Sequence, residues 1–342
     1  MTPSDRQNPL SIPGFVDLQV NGYLGVDFSS PELTPESFTE VSRKLINHGT
    51  SMFLPTIITS SEEIFERNLK IISDCMEQDE FRDHLPGIHV EGPFLSPEDG
   101  ARGAHNRDWV REPDTDYLDR LYEWSAGKLK LLTIAAEPEG ADDLCRHATK
   151  LGITVSLGHH LAGDKEISRL AEAGARALTH LGNGLPSMIS RHDNPLWGGL
   201  AQDALTIMFI SDGHHLPDTL IRVYLRARPL SKLVVVSDAS PIAGYKPGRY
   251  NTLGNDVILE ENGRLWNPST GYLVGSSFTM LECMNYLGGL NLLTLDEMLK
   301  VGYENPLRLI GIDPEEVPGT LPKQLTASES DQGVEFNLLS ES

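Results

Sequence analysis

Eight short apolar runs, most of them separated by longer amphipathic stretches, constrain the fold of this 342-residue chain more than any other feature. They fall at 14–20, 51–56, 87–91, 130–135, 153–157, 177–180, 206–211 and 233–237. Most are apolar throughout rather than alternating, the pattern of parallel strands covered on both faces. Thr34-Pro35-Glu36 opens a helix with cap, proline and acid, and that pattern stops near Gly49. Further helices are predicted over 61–76, 139–151, 163–173 and 217–226. Strands and helices alternating in this way predict an α/β fold, a closed (β/α)₈ barrel rather than an open doubly wound sheet. Irregular, Gly- and Pro-rich stretches follow the third strand (92–109), the sixth (181–199) and the eighth (239–271). Loops of that length inside a compact domain are usually functional.

Charge narrows the partners. With 49 acidic against 28 basic side chains the formal net charge is -21, so nucleic acid and anionic lipid are expected to be repelled. An anionic substrate would need a locally positive pocket. Cys75, Cys145 and Cys283 lie far apart, which fits a reducing compartment and neither a disulfide framework nor a Cys-type zinc site. The first 13 residues lack a basic stretch leading into an apolar one, and no run of about 18 apolar residues occurs. The expected location is the cytoplasm.

Catalytic groups in such a barrel sit at the C-terminal ends of strands. Gln19 and Asn21 end the first strand, His89 and Glu91 the third; His159 and His160 follow the fifth, and His180 closes the sixth. Asp212 and His215 follow the seventh strand and Asp238 the eighth. Singly, each has an ordinary structural explanation as a turn cap or a hydrogen-bonded core histidine. Jointly, a carboxylate and two imidazoles supply the donors a borderline divalent metal prefers, and three protein ligands leave a position open for water. An acid left off the metal can shuttle protons. Gly275-Ser276-Ser277 ahead of a predicted helix at 278–287 is read as an N-cap rather than an anion site. No G-x-S-x-G elbow, Walker loop or G-x-G-x-x-G fingerprint is present.

From Pro13 to about Gly311 the chain resembles the N-acetylglucosamine-6-phosphate deacetylases of the amidohydrolase superfamily. The matching blocks are PGFVDLQVNG (13–22), HVEGPFLSPEDGARGAH (89–105), SLGHH (156–160), THLGNGLPSMISR (179–191), SDGHH (211–215), VVVSDASPIAG (234–244) and GSSFTM (275–280). The resemblance implies that Glu91, His159 and His180 hold the metal, Asp238 is the catalytic aspartate, and His105 helps to polarise the acetyl carbonyl. It implies that Ala104, Asn183 and Gly184 contact sugar or phosphate, and that Arg191 and His215 bind phosphate, partly across a homodimer. Many amidohydrolases carry His-x-His at the end of strand one; here Gln19-Val20-Asn21 stands near that vacant second metal position. No lysine follows strand four. One divalent ion is therefore expected, zinc foremost, with iron, cobalt and manganese able to take the same ligands.

Two departures accompany the match. Family members usually carry a longer segment ahead of this Pro-Gly-Phe, which forms a small β-sandwich with the C-terminus, and that sandwich is expected to be largely missing. The division expected is a short segment at 1–13, a catalytic barrel at 14–311 and a short tail at 312–342, the remnant of the sandwich. His160 and His214 occupy positions that are often small or apolar. The implied activity is deacetylation of an N-acetylhexosamine 6-phosphate. The alternatives are an amidohydrolase for another N-acyl substrate, such as an unphosphorylated or epimeric amino sugar or an N-acyl amino acid, and a non-catalytic relative.

Overall fold

The computed structural model describes residues 10–317, 321 and 323–339. Eight parallel strands make one sheet: β1 (Phe15–Val20), β2 (Thr50–Ile58), β3 (Ile88–Glu91), β4 (Leu129–Ile134), β5 (Thr154–Leu157), β6 (Ala177–Leu178), β7 (Thr206–Ile210) and β8 (Leu233–Val236). Each pairs with the next in chain order. The ends meet where Val20 bridges Ala239 in parallel and the Asn21 N–H donates to the Ala239 carbonyl at 2.8 Å. The sheet is thereby a (β/α)₈ barrel, as the eight apolar runs predicted.

Helices α1 (Pro35–Asn47), α2 (Glu62–Met76), α3 (Thr115–Trp124), α4 (Ala141–Lys150), α5 (Asp164–Ala173), α6 (Pro195–Ala201), α7 (Asp218–Ala227) and α8 (Met280–Gly289) punctuate the strands. Thr34 caps α1 ahead of Pro35, and the Ser61 hydroxyl accepts from the Ile64 N–H to start α2. Two of these helices escape the periodicity reading, as do the short helices Leu295–Leu299 and Asn305–Leu309 near the end of the barrel. α3 is set by the Asp114 cap and buries Tyr117, Leu118 and Leu121. α6 is one short element inside the stretch expected to be irregular, started by Asn194 and Pro195. Likewise 239–271 is not wholly irregular. It carries a small antiparallel sheet, Gly248–Thr252, Asn255–Leu259 and Leu265–Trp266, whose polar, half-exposed strands lack an apolar run.

Two apolar clusters make up the barrel core, and a third, of Ile242, Val257, Leu259, Leu265 and Val274, lies under the small antiparallel sheet. The larger lies between sheet and helices; the smaller gathers Leu54, Leu131, Met208, Ile210, Val234 and Val236 from the barrel interior and is closed by Leu307 and Ile310. Above that plug the interior turns polar. His89 Nε2 meets Thr133 Oγ1 at 2.8 Å, Thr133 meets Thr179 at 2.8 Å, and Thr179 meets Ser156 at 2.6 Å. This hydrogen-bonded layer supports the polar strand ends above it, because buried hydroxyls are stable only when partnered.

The terminal segments meet in a second sheet. Leu10–Pro13 pairs antiparallel with Lys323–Ser330, which pairs with Gly333–Leu338. Phe336 packs edge-on against Phe15 at 5.0 Å. The C-terminal segment thus contains a β-hairpin, although its polar composition gave little periodic signal. Residues 1–9, 318–320, 322 and 340–342 of the expected terminal segments lie outside the described residues.

Candidate active site

The strand ends bring the singled-out side chains to one mouth. Gln19, Asn21, Glu91, His105, His159, His180, Asp212 and Asp238 are all buried, and the His215 side chain is only 5% exposed. Three non-glycine residues directly past strands adopt left-handed backbone: His159 (φ 52°), His180 (φ 29°) and Asp238 (φ 52°). Such conformations cost about 1–3 kcal/mol each and persist where surrounding structure enforces them, commonly at functional sites.

Glu91 is the hub. Its Oε1 lies 2.9 Å from His180 Nε2, 3.3 Å from His159 Nε2 and 2.9 Å from Gln19 Nε2. Its Oε2 lies 3.7 Å from His105 Nε2, which is 3.2 Å from His159 Nε2. One ligand atom each from Glu91, His105 and His159 falls within a mutual 4.8 Å. His105, implied by the resemblance to polarise a carbonyl, thus stands as near the carboxylate as a ligand would.

Tautomers decide what these nitrogens can do. His159 Nδ1 lies 2.9 Å from the Ala101 carbonyl, so that nitrogen carries the proton. The Thr59 hydroxyl donates to the Glu91 carbonyl and must therefore accept from His105 Nδ1, at 3.0 Å. Burial, reinforced by His159, pushes His105 down to about 3 and leaves it neutral. A neutral His105 then turns a bare Nε2 lone pair toward His159 Nε2 and Glu91. Lone pairs crowded in a buried site are relieved by a shared cation, and fixing Nδ1–H by an outer carbonyl is the usual support for a metal-binding imidazole. The side-chain amide oxygens of Gln19 and Asn21 and His180 Nδ1 are buried without a hydrogen-bond partner among the described residues. The residues fit a divalent ion.

Two further pairs flank this cluster. Asn21 Nδ2 donates to Asp238 Oδ1 at 2.7 Å. Burial, and then the charge of Glu91, hold the Asp238 carboxyl above its ordinary range, which suits a group that must both take and give a proton. Asp212 accepts from His215 Nδ1 at 2.7 Å, from Ser276 Oγ at 2.8 Å and from the His214 and His215 N–H groups at 2.9 Å. Burial opposes charge on both partners, but mutual attraction wins: Asp212 is held below the usual carboxylate range and His215 above the usual imidazole value. Asp212 thereby biases His215 toward its protonated, doubly donating form.

A cavity of about 260 Å³ opens onto these groups. Ala104, Asn183, Gly184 and His215 line it, as do Ile58, Leu253, Tyr272 and Leu273, which no sequence pattern singled out. The last three come from the insertion after β8, whose length was the available signal. Gly184 also has a packing role: a Cβ there would stand 2.8 Å from His159 Nδ1. Arg191 is placed apart; it is exposed on the loop before α6, outside the cavity, with its carbonyl accepting from Trp197 Nε1 at 3.1 Å. His160 is buried with Nδ1 accepting from the Ala162 N–H, and His214 ties to the Asn262 carbonyl at 2.9 Å and packs on Phe278. Ser276 bonds Asp212 and accepts from the Phe278 N–H, while Thr279 and Glu282 cap α8.

A (β/α)₈ barrel with a buried carboxylate, clustered imidazoles and a separate aspartate at its mouth defines a metal-dependent hydrolase. The chain belongs to the amidohydrolase family, whose family model matches residues 10–315. It is 32% identical over 320 residues to the N-acetylglucosamine-6-phosphate deacetylase of Danio rerio, covering 90% of this chain and 77% of that one. It is 26% identical to the N-acetylgalactosamine-6-phosphate deacetylase of Escherichia coli O157:H7, over 91% of this chain and 80% of the relative. The crystal structure of N-acetylglucosamine-6-phosphate deacetylase from Pasteurella multocida superposes with a TM-score of 0.83 at 26% identity, covering 99% of this chain and 90% of that one. Among the described residues no helix is long and apolar enough to cross a membrane.

Proposed function

We propose that this chain removes acetate from an N-acetylhexosamine 6-phosphate, N-acetylglucosamine 6-phosphate foremost, leaving the amino sugar 6-phosphate. One observation carries the reading: Glu91 is ringed by three imidazoles within 3.7 Å, beside an Asp238 that among the described residues accepts a side-chain hydrogen bond at Oδ1 alone, in one cavity. The curated relatives from animals and bacteria, named as deacetylases of this substrate class, support it. The catalytic unit is the barrel of residues 14–311, with the terminal strands as support.

Glu91, His159 and His180 would hold one divalent ion, zinc being preferred for two nitrogens and one oxygen donor. Such an ion supplies Lewis acidity, acidifying water and polarising a carbonyl. The free Oδ2 of Asp238 takes the proton of the attacking water, and Asp238 returns it to the departing amine nitrogen. Asn21 holds the other oxygen and so aims that carboxylate. His105 stands against the acetyl oxygen and stabilises developing negative charge there once its tautomer reverses, the Thr59 hydroxyl turning to donate to Nδ1 so that Nε2 carries the proton. Gln19 and Asn21 offer only neutral amide oxygens where imidazoles would hold a second ion, and these are weaker zinc ligands, so one ion, not two, is the content per chain. His215, which Asp212 biases toward its protonated form, receives the phosphate. Arg191, exposed on its own chain, reaches the phosphate of a neighbouring subunit in a homodimer. Three buried free thiols suit a cytoplasmic enzyme.

Initial-rate assays on N-acetylglucosamine 6-phosphate, its galacto epimer and unphosphorylated N-acetylglucosamine test the reading. Release of acetate should favour the phosphorylated sugars by about two orders of magnitude in kcat/KM, the worth of one or two charge-assisted hydrogen bonds. Equal rates on free and phosphorylated sugars would remove the phosphate assignment. Metal-loaded protein inert on all three would remove the deacetylase reading.

A further inference from the structure

The face of the barrel opposite the catalytic mouth carries a cleft of about 470 Å³, within the size range of small-molecule sites. It runs along the N-terminal ends of the strands: Lys130 is the second residue of β4, Arg176 immediately precedes β6, Thr206 opens β7 and Lys232 immediately precedes β8. Arg308 borders it from the barrel floor. No Asp or Glu is among its lining residues. In a chain with 49 acids and 28 bases, four cations around one acid-free cleft are a local reversal of the overall field.

These cations are not spent on neighbours. Among the described residues Lys130, Arg176 and Lys232 enter no ion pair. Arg308 reaches only Asp313, at 3.8 Å and with both side chains about half exposed. Lys232 Nζ bonds the Ala204 carbonyl at 2.9 Å and Arg176 the Ala175 carbonyl at 3.2 Å, so both heads are positioned while their charges stay uncompensated. Burial, and then repulsion from Arg228 and Arg176, lower the Lys232 ammonium. An anion would relieve that repulsion.

We propose that this cleft is a second, non-catalytic site for a small phosphorylated anion, with Lys130, Arg176 and Lys232 as its charge partners and the Ser231 and Thr206 hydroxyls as neutral donors. It does not rest on the deacetylase reading, because none of these residues belongs to the catalytic mouth. Phosphate suits the cluster: several cations around one space match a group with three outward oxygens.

Inorganic phosphate and fructose 1,6-bisphosphate, neither carrying an acetamide, are titrated calorimetrically into the metal-loaded protein. The Arg176→Gln/Lys232→Gln double variant should weaken binding by about tenfold or more, since one charge-assisted hydrogen bond is worth roughly that factor. His215→Ala, altered at the catalytic mouth, should keep this binding. Tighter binding of the bisphosphate assigns the occupant as a sugar phosphate; equal binding per phosphate assigns free phosphate. If His215→Ala abolishes all binding, or if the double variant binds as before and only unfolds at a lower temperature, the cations serve the neighbouring helix ends and the proposal falls. Should the double variant fail to fold, Lys130→Gln alone applies the same test.

Discussion

Asn21 Nδ2 stands 2.7 Å from Asp238 Oδ1, across the seam where the first and eighth strands close the barrel. The pairing ties barrel closure to proton transfer. The Asn21 N–H that completes the sheet bonds Ala239, the residue after Asp238, so backbone and side chain of Asn21 fix the same two-residue segment. Among the described residues no side chain donates to the other Asp238 oxygen, which is left for the reaction.

Asn21→Leu therefore should slow catalysis without emptying the metal site. The Asn21 hydrogen bond lowers the Asp238 carboxyl against burial and against Glu91, so its loss raises that group further. Asp238 must be ionised to accept a proton, and the acidic limb of kcat/KM should move to higher pH by about one unit, with kcat at pH 7 down about tenfold. A pH-rate profile beside metal analysis checks both. An unmoved acidic limb would detach Asp238 from the proton-transfer role.

The three imidazoles around Glu91 should separate by assay. His180→Asn removes a proposed ligand and should leave the purified protein with well under one ion per chain. His105→Asn should keep its metal while losing about 10²–10³ in kcat, the usual worth of a donor to developing oxyanion charge. Metal content by elemental analysis distinguishes them. If His105→Asn empties the site and His180→Asn does not, the ligand set is Glu91, His105 and His159, the trio with ligand atoms within 4.8 Å of one another.

Much of this arrangement is legible in the sequence because strand ends are where apolar runs stop. The runs at 87–91 and 233–237 carried Glu91 and Asp238 to their ends, and the observed strands Ile88–Glu91 and Leu233–Val236 lie within one residue of them. Leu253 and Tyr272 were hidden for the opposite reason. Leu253 is in the turn between the first two strands of the small, polar sheet and Tyr272 follows its last strand, so no periodicity marks them, and only the tertiary fold lays that insertion beside the cavity. The terminal sheet was obscured likewise, since Leu10–Pro13 finds its partner more than 300 residues away. Nor can spacing show that Asp212, besides bonding His215 on its own loop, reaches Ser276 on another loop 64 residues further on.

Asp212 should matter through charge more than through shape. Its carboxylate raises His215 against a burial penalty that alone would lower it. In Asp212→Asn that support is gone, so His215 loses its proton at lower pH than before. At pH 8 the KM for the phosphorylated sugar should rise about tenfold, and the deficit should shrink as pH falls toward 6. The free sugar, lacking phosphate, should show little change. Steady-state kinetics on both substrates across pH decide it, and an equal loss on both at every pH would mean that Asp212 only holds the loop together.

Arg191 is exposed and outside the cavity of its own chain, which makes its role a question of assembly. If it grips phosphate across a homodimer, two inactive variants should complement each other. Asp238→Asn chains lack the proton shuttle but present an intact Arg191; Arg191→Ala chains lack the two-pronged phosphate grip but keep Asp238. Refolded together at equal amounts, random pairing makes half of the dimers mixed, and each mixed dimer contains one site with both groups. Activity per chain should recover to about one quarter of the unmodified enzyme, measured at substrate well below its KM, where the loss of phosphate binding is felt. Were Arg191 to act within its own chain, no site in the mixture would hold both residues and the activity would stay at the sum of the separate variants. Gel filtration of each variant beforehand establishes that both still pair, so a null result would speak against contact across the interface rather than against pairing.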